Sequence, residues 1–291
     1  MQPLVSVAVH TGKFEFYPML QNVLKSFLVS NTYPNIELIL VESGQNEQIR
    51  QWLRDLDLYN FTNLDGSQSN IRPNDNVNIT KKLLFPDFEE PNTFFSKKCA
   101  PFIQSFEIAL NESSGEYFTY LAEDNQFVVK GDLIGDLIKI LKSKGESDYM
   151  VYFHTMQMYK YGKNNNRYLG PLEADGVKYF DLAEVKWDQS MLCSKKIYDR
   201  LGPIKDWDLP HGVNEHYAKT AAELDIKRIY PLVYPCMWFH NDHRDNIINT
   251  IEEGTKKNPD YILFKIHEYE DVIGAAKNPA RPYSTEDFMF I

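Results

Sequence analysis

Three runs of polar residues stand directly after apolar runs: His10-Thr11 after Leu4 to Val9, Glu42-Ser43-Gly44 after Ile36 to Val41, and Glu123-Asp124-Asn125 after Tyr117 to Ala122. In an open α/β sheet a ligand lies outside the carboxyl ends of the strands, so the imidazole, hydroxyl and carboxylate groups there are the first that it meets. Taken singly, each run also reads as an ordinary strand-ending turn. A fourth run, Trp238-Phe239-His240-Asn241-Asp242-His243, has a His-X-X-His spacing that suggests zinc. Neither a cysteine pair nor another histidine pair accompanies it, which argues against a zinc site.

The elements that must hold these residues follow from apolar periodicity. Leu4 to Val9 and Ile36 to Val41 are nearly continuous apolar runs of the kind a parallel strand covered on both faces requires. Helix patterns follow each of them, from Pro18 to Ser30 and from Gln45 to Leu56. This βαβα start predicts an α/β fold with a mostly parallel sheet flanked by helices. From Asn60 to Lys98 periodicity fades into a long loop with a hint of strand at Val77-Asn78-Ile79. Beyond it the pattern predicts a helix near Ala100 to Asn111, a strand at Tyr117 to Ala122 and a helix over Asp132 to Lys144. Strands follow at Tyr149 to Met158, Val177 to Phe180 and Ile226 to Val233. Ser194 reads as the N-cap of a short helix ending at Gly202, and Val213 to Leu224 as another helix. Arg244 to Gly254 and Pro259 to Val272 read as a C-terminal helical extension.

The chain has 291 residues and a formal charge of −10, with 43% apolar and 25% charged residues. That composition supports a sizeable core and excludes a mostly disordered chain. Its acidity argues against nucleic acid as a partner, since duplex affinity comes largely from Lys and Arg. No apolar run approaches the roughly 20 residues that span a bilayer, and no secretory signal is read at the N-terminus, so a cytoplasmic location is expected. Cys99, Cys193 and Cys236 are too few and too scattered for a disulfide framework and are expected to be reduced.

Taken together and in order, the three strand-end runs resemble the first half of family 2 glycosyltransferases with the GT-A (nucleotide-diphospho-sugar transferase) fold. Val5-Ser6-Val7-Ala8-Val9-His10-Thr11 resembles the family's first strand, with His10 in place of Pro. Thr32-Tyr33-Pro34-Asn35-Ile36-Glu37-Leu38-Ile39-Leu40-Val41-Glu42-Ser43-Gly44 resembles the second, with Glu42 where an Asp that reads the nucleobase is usual. Ser114-Gly115-Glu116-Tyr117 through Asn125 resembles the strand leading to an Asp-X-Asp type motif, with Asn125 in place of a frequent Asp. The likeness runs from about Val5 to Leu141.

The resemblance implies sugar transfer from a nucleotide-diphosphate sugar to a glycan or glycoconjugate acceptor, with inversion and with the help of Mn2+ or Mg2+. It implies His10, Thr11, Glu42, Glu123 and Asp124 as nucleotide-sugar-binding residues, and Asp124 with a late histidine, His240, as metal ligands. A divalent cation on hard oxygen ligands would absorb the charge that develops on the departing diphosphate. Glu215 is the candidate base that takes the acceptor proton, with Asp206 and Asp208 as fallbacks. Asp225 stands near the family's usual Gly before the following strand. The implied layout is a GT-A domain over 1–243, divided into a donor half (1–145) and an acceptor half (146–243), with an extension over 244–291. Lys81/Lys82 and Lys97/Lys98 are candidates to reach the diphosphate from the irregular loop. Two other classes stay open: a sugar-nucleotide-binding protein without activity, and a sugar-phosphate nucleotidyltransferase, against which the single Gly of His10-Thr11-Gly12-Lys13 argues. A glycosidase, which needs two facing carboxylates, finds no support.

Overall fold

A computed structural model of the chain describes residues 2–12, 14–88, 100–156, 168–182, 190–203, 212–238, 244–263 and 266–269, with the main chain alone at 14, 100–103, 154–156, 168–171, 180–182, 212–216 and 244. The first half alternates β1 (Val5–Thr11), α1 (Tyr17–Ser30), β2 (Asn35–Glu42), α2 (Glu47–Asp55), β3 (Asn78–Leu84), α3 (Ala100–Glu112) and β4 (Tyr117–Ala122). Short strands β5 (Asn125–Phe127) and β6 (Val129–Lys130) lead to α4 (Leu133–Lys144), β7 (Tyr149–Tyr152), β8 (His154–Met156), β9 (Tyr168–Ala174), β10 (Val177–Leu182) and β11 (Met191–Ser194). Then come α5 (Lys195–Leu201), α6 (Gly212–Glu223), β12 (Lys227–Pro231), β13 (Cys236–Trp238), α7 (Arg244–Lys257) and β14 (His267–Glu268).

Among the described residues the main sheet has nine strands in the order β3-β2-β1-β4-β11-β7-β12-β10-β9. The β3, β2, β1 and β4 strands are mutually parallel, in registers that set Thr11 opposite Glu42 and His10 opposite Ala122. The chain steps outward from β1 to β2 and β3, then crosses back to β4 on the other side of β1. The carboxyl ends of β1 and β4 therefore form the switch point at which open α/β sheets bind ligands. One face of the sheet buries Val5, Val7 and Val9 with residues of α1, α2 and α4; the other buries Ala8, Ile39 and Tyr120 with residues of α3, α5 and α6. Covering on both faces explains why the strands read as unbroken apolar runs.

The hint of strand at Val77-Asn78-Ile79 is the start of β3, a full parallel strand inside the expected loop. Its lysines are spent on helix ends: Lys81 Nζ donates to the carbonyls of Leu53 and Leu56 where α2 stops, and Lys82 Nζ meets the Glu112 carboxylate at 2.9 Å at the end of α3. Both residues, offered as diphosphate contacts, are engaged at helix ends in this structure; Lys97 and Lys98 lie outside the described residues. The expected strand 149–158 is two pieces, because β8 leaves the main sheet to pair with β13. The strand β9 is missed, with Gly170 and Pro171 in its middle; it lies at the sheet edge, where a residue without an N–H is tolerated.

Of the C-terminal extension, the described residues include the helix α7. Over 259–263, where a second helix is expected, the chain runs along α1 instead: Lys25 Nζ donates to Pro259 O at 2.6 Å, and Leu263 N donates to Asn22 Oδ1 at 3.0 Å. Further on, β14 pairs with β6. Three polar residues of α1, Gln21, Asn22 and Lys25, are thus buried and act as a docking strip, and side-chain bonds to the chain's own backbone outcompete helix formation there.

Burial lowers the Lys25 pKa from 10.5 to about 8, against the smaller opposing pull of Asp260 and Asp65. Because the folded-state pKa is the lower one, the unfolded chain binds more protons between pH 8 and 10.5, and stability rises with pH across that window. We expect the urea unfolding midpoint of the wild type to rise between pH 8 and 9.5 relative to that of Lys25→Met, a comparison in which the opposing effect of the buried Cys193 and Cys236 thiols cancels. The same pH dependence in both proteins would exclude Lys25 as a contributor.

Candidate active site at the carboxyl ends of β1, β2 and β4

The loops after β1 and β2 are laced together. Ser43 N donates to Thr11 O at 3.0 Å, and His10 Nε2 and Ser43 Oγ share a 2.8 Å hydrogen bond. The His10 ring stacks on Tyr120 of β4 with centroids 5.8 Å apart, so one imidazole ties together three strand ends. Burial pushes its pKa down to about 3, which keeps it neutral. A Cβ on Gly44 would stand 2.5 Å from Gly12 O and 2.9 Å from Glu42 Oε1. That close approach is what glycine permits at this turn.

Glu42 ends β2 completely buried. Its Oε1 accepts from Tyr17 Oη at 2.9 Å and from Asn46 N at 3.4 Å, and its Oε2 accepts from Arg50 Nε at 2.7 Å. Arg50 extends the chain of contacts, donating Nη1 to Asp87 Oδ1 at 2.7 Å and Nη2 to Pro86 O at 3.1 Å. Burial works against its charge, but Glu42 and Asp87 outweigh it and hold the guanidinium pKa above its ordinary value. Burial and then Glu42 push the Tyr17 phenol well above the usual tyrosine range, so it stays a donor. Tyr17 and Arg50 are the residues that sequence reasoning passed over. A buried carboxylate needs a cationic or donor partner, and an arginine eight residues on, inside an amphipathic helix, was the available signal.

Glu123 and Asp124 form the two-residue turn between β4 and β5, 8% and 3% exposed, and Asn125 Nδ2 closes the turn on Ala122 O at 3.0 Å. The partner strand β13 sets Trp238 opposite Asn125. The approach to His240 therefore runs beside the acidic turn; His240 itself, like Asp206 and Asp208, lies outside the described residues. Among the described residues no group of three His, Cys, Asp or Glu converges as a metal site. The pair Glu123 and Asp124 suits a hard cation all the same, because Mg2+ typically takes one or two carboxylates and completes its shell with water and substrate phosphate.

Glu215 sits in the first turns of α6, whose main chain alone is described there. Since β12 is parallel to β7, β7 antiparallel to β11, and β11 antiparallel to β4, β12 runs in the direction of β1 and β4. The α6 helix reaches β12 through a tight turn, so it ends at the amino edge of the strands. The turn carries Asp225 at φ +53°, with Ile226 N donating to Ala221 O at 2.8 Å. That is the left-handed C-terminal position that glycine usually fills. The structure thus brings His10, Thr11, Glu42, Glu123 and Asp124 to one edge, and α6 ends at the opposite, amino edge, where β12 begins. Cys193 and Cys236 are free and buried; burial raises both thiols, Cys193 to about 12, so neither serves as a nucleophile.

Among solved structures the chain is similar to the mannosyltransferase PcManGT from Pyrobaculum calidifontis in complex with GDP-Man and Mn2+ (TM-score 0.50, 14% identity, 86% of this chain and 61% of that one). It is also similar to S. aureus TarS 1-349 (TM-score 0.47, 11% identity, 81% and 60%). A third is GalNAc-T7 with UDP, GalNAc and Mn2+ (TM-score 0.47, 10% identity, 82% and 44%). The chain spans less than two thirds of the length of each. No protein-family model and no curated protein matches the sequence. The likeness to the mannosyltransferase establishes the fold: an α/β chain with the GT-A architecture.

Proposed function

We propose that the protein is a glycosyltransferase that moves a sugar from a nucleotide-diphosphate donor to a hydroxyl of a glycan or glycoconjugate, with inversion. The observation that carries this reading is the register of the GT-A sheet, which puts the Glu123-Asp124 turn level with the interlocked loops after β1 and β2. The loops 10–12 and 42–44 form the floor on which the nucleoside lies, and Asp124, with Glu123 and His240, would hold Mn2+ or Mg2+ against the diphosphate. When bound, the cation supplies Lewis-acid stabilisation of the charge on the leaving diphosphate. The carboxylate of Glu215 takes the proton of the acceptor hydroxyl as its oxygen bonds to the anomeric carbon and the anomeric C–O bond to the diphosphate breaks. No helix among the described residues is long and apolar enough to cross a membrane, so the acceptor is met without a spanning helix in that part of the chain.

Thermal unfolding with a panel of nucleoside diphosphates and their sugars, with and without Mn2+ or Mg2+, tests the reading. One nucleotide is expected to stabilise the protein only with metal, by about 2.7 kcal/mol at 100 times its dissociation constant. Its sugar conjugate is expected to release nucleoside diphosphate when acceptor is added. Stabilisation without release would make the protein a binder, and pyrophosphate release from a nucleoside triphosphate would make it a nucleotidyltransferase.

A further inference from the structure

The residue at the end of β2 is expected to read the nucleobase, yet the carboxylate of Glu42 faces protein on both oxygens: Tyr17 and the Asn46 amide on one, Arg50 on the other. It is 0% exposed, against the 78% exposure of the Asp87 side chain, which shares the Arg50 guanidinium. To accept a hydrogen bond from a base it would have to leave a buried guanidinium and come out from beneath Gly44, whose Cβ position lies 2.9 Å from its Oε1. Three segments meet on this one group. They are the start of α1 through Tyr17, the turn from β2 into α2 through Asn46 and Arg50, and, through Arg50, the stretch Phe85–Asp87 after β3. The guanidinium also lies 5.4 Å from the Phe85 ring centroid.

We propose that Glu42 is a positioning residue, not a base-reading one: with Tyr17 and Arg50 it fixes the 42–44 turn against the 10–12 loop and so sets the height of the donor floor, while selection among bases is made by other groups. This rests on the donor reading above. The chemistry favours it because a charge-assisted bond to a buried guanidinium is stronger than one to a neutral base N–H, so the carboxylate stays with Arg50. The consequence is that perturbing the hub weakens every nucleotide alike, whereas losing a base contact weakens one base selectively.

The test measures dissociation constants of UDP, GDP, ADP and CDP with Mg2+, well below the unfolding midpoint, for the wild type, Tyr17→Phe, Glu42→Gln and the double variant Glu42→Gln/Arg50→Met. The double variant removes both charges and leaves no ion buried without its partner. Tyr17→Phe, which loses one hydroxyl, is expected to weaken all the bound nucleotides about three- to tenfold, the scale of one hydrogen bond. The ratio between the best and second-best base should move by less than about twofold in each variant. A merely stabilising role would shift the unfolding midpoint and leave these constants unmoved, which would overturn the proposal. So would a tenfold or greater loss by Glu42→Gln confined to the preferred base. If the wild type binds none of the four, the donor reading falls and this inference falls with it; if the wild type binds and a variant alters the order of the bases, the inference alone is overturned.

Discussion

Replacing Asp124 by Asn should lower sugar transfer about 1000-fold, the equivalent of roughly 4 kcal/mol of transition-state stabilisation, while the protein stays folded. The substitution keeps the size of the side chain and removes one negative charge from a turn whose two carboxylates are 8% and 3% exposed. A divalent cation bound by one or two carboxylates loses much of its affinity when one of them becomes an amide, because hard cations favour charged oxygen. The turn itself should survive, since Asn125 Nδ2 bonds to Ala122 O and β5 is held by β13, neither through the Asp124 carboxylate. The effect should be steepest at low metal concentration and should shrink as Mn2+ is raised. Rates of nucleoside diphosphate release across a metal titration, beside thermal unfolding of the apo protein, separate the outcomes. Full activity with an unchanged metal dependence removes Asp124 from the mechanism. Loss of activity with a collapsed unfolding transition assigns it to the fold instead.

Metal dependence also answers to the charge of the whole chain. On the proposed reading, a protein of formal charge −10 would receive a dianionic diphosphate beside Glu123 and Asp124 and would repel it unless positive charge intervened. The lysines of the 60–98 region that are described do not provide it: Lys81 and Lys82 are engaged at the ends of α2 and α3. The neighbouring cation, Arg50, is held by Glu42 and Asp87. On the proposed reading, a cation held by the Glu123-Asp124 turn would supply that counter-charge.

The strands that carry the site were legible because burial on both faces writes them as unbroken apolar runs, and their polar ends then stand out. For the same reason β3 was legible only at its start: Asn78–Leu84 is paired through its backbone, but its lysines point to helix ends that only the tertiary fold supplies. The part of the expected 259–272 helix that lies over 259–263 is not helical, through a similar blindness. Apolar spacing there is compatible with a helix, but Asn22 and Lys25 of α1 offer buried partners to the 259–263 backbone, and a partner more than 230 residues away leaves no local trace. At the candidate site, residue type and strand context anticipated that His10, Thr11, Glu42, Glu123 and Asp124 would share one edge of the sheet. They did not disclose that His10 and Glu42 are each bonded to protein, since the Ser43, Tyr17 and Arg50 contacts depend on how adjacent loops and helices pack.

For the base, Glu215→Gln should cut turnover about 1000-fold, within the range that a positioned proton acceptor contributes, with donor affinity kept within about threefold. At the far end of α6, Asp225 at φ +53° stops the helix and turns the chain directly into β12, so α6 ends at the amino edge of the strands, and on the proposed reading its amino end reaches towards the donor. Tyr217, two residues after Glu215, is buried against Phe106 at a centroid distance of 6.1 Å and donates to Gly202 O at 3.3 Å, so the helix is anchored close to the candidate base. An amide in place of the carboxylate keeps the shape and any hydrogen bonds to the donor but cannot accept the acceptor's proton. Donor binding and turnover must therefore separate in this variant. Measuring both in Glu215→Gln, Asp206→Asn and Asp208→Asn decides among the three carboxylates. Unchanged turnover in Glu215→Gln with the loss in either aspartate variant moves the base to that aspartate. A parallel fall in donor affinity and turnover would show instead that Glu215 holds the donor, because a pure base acts only once both substrates are in place.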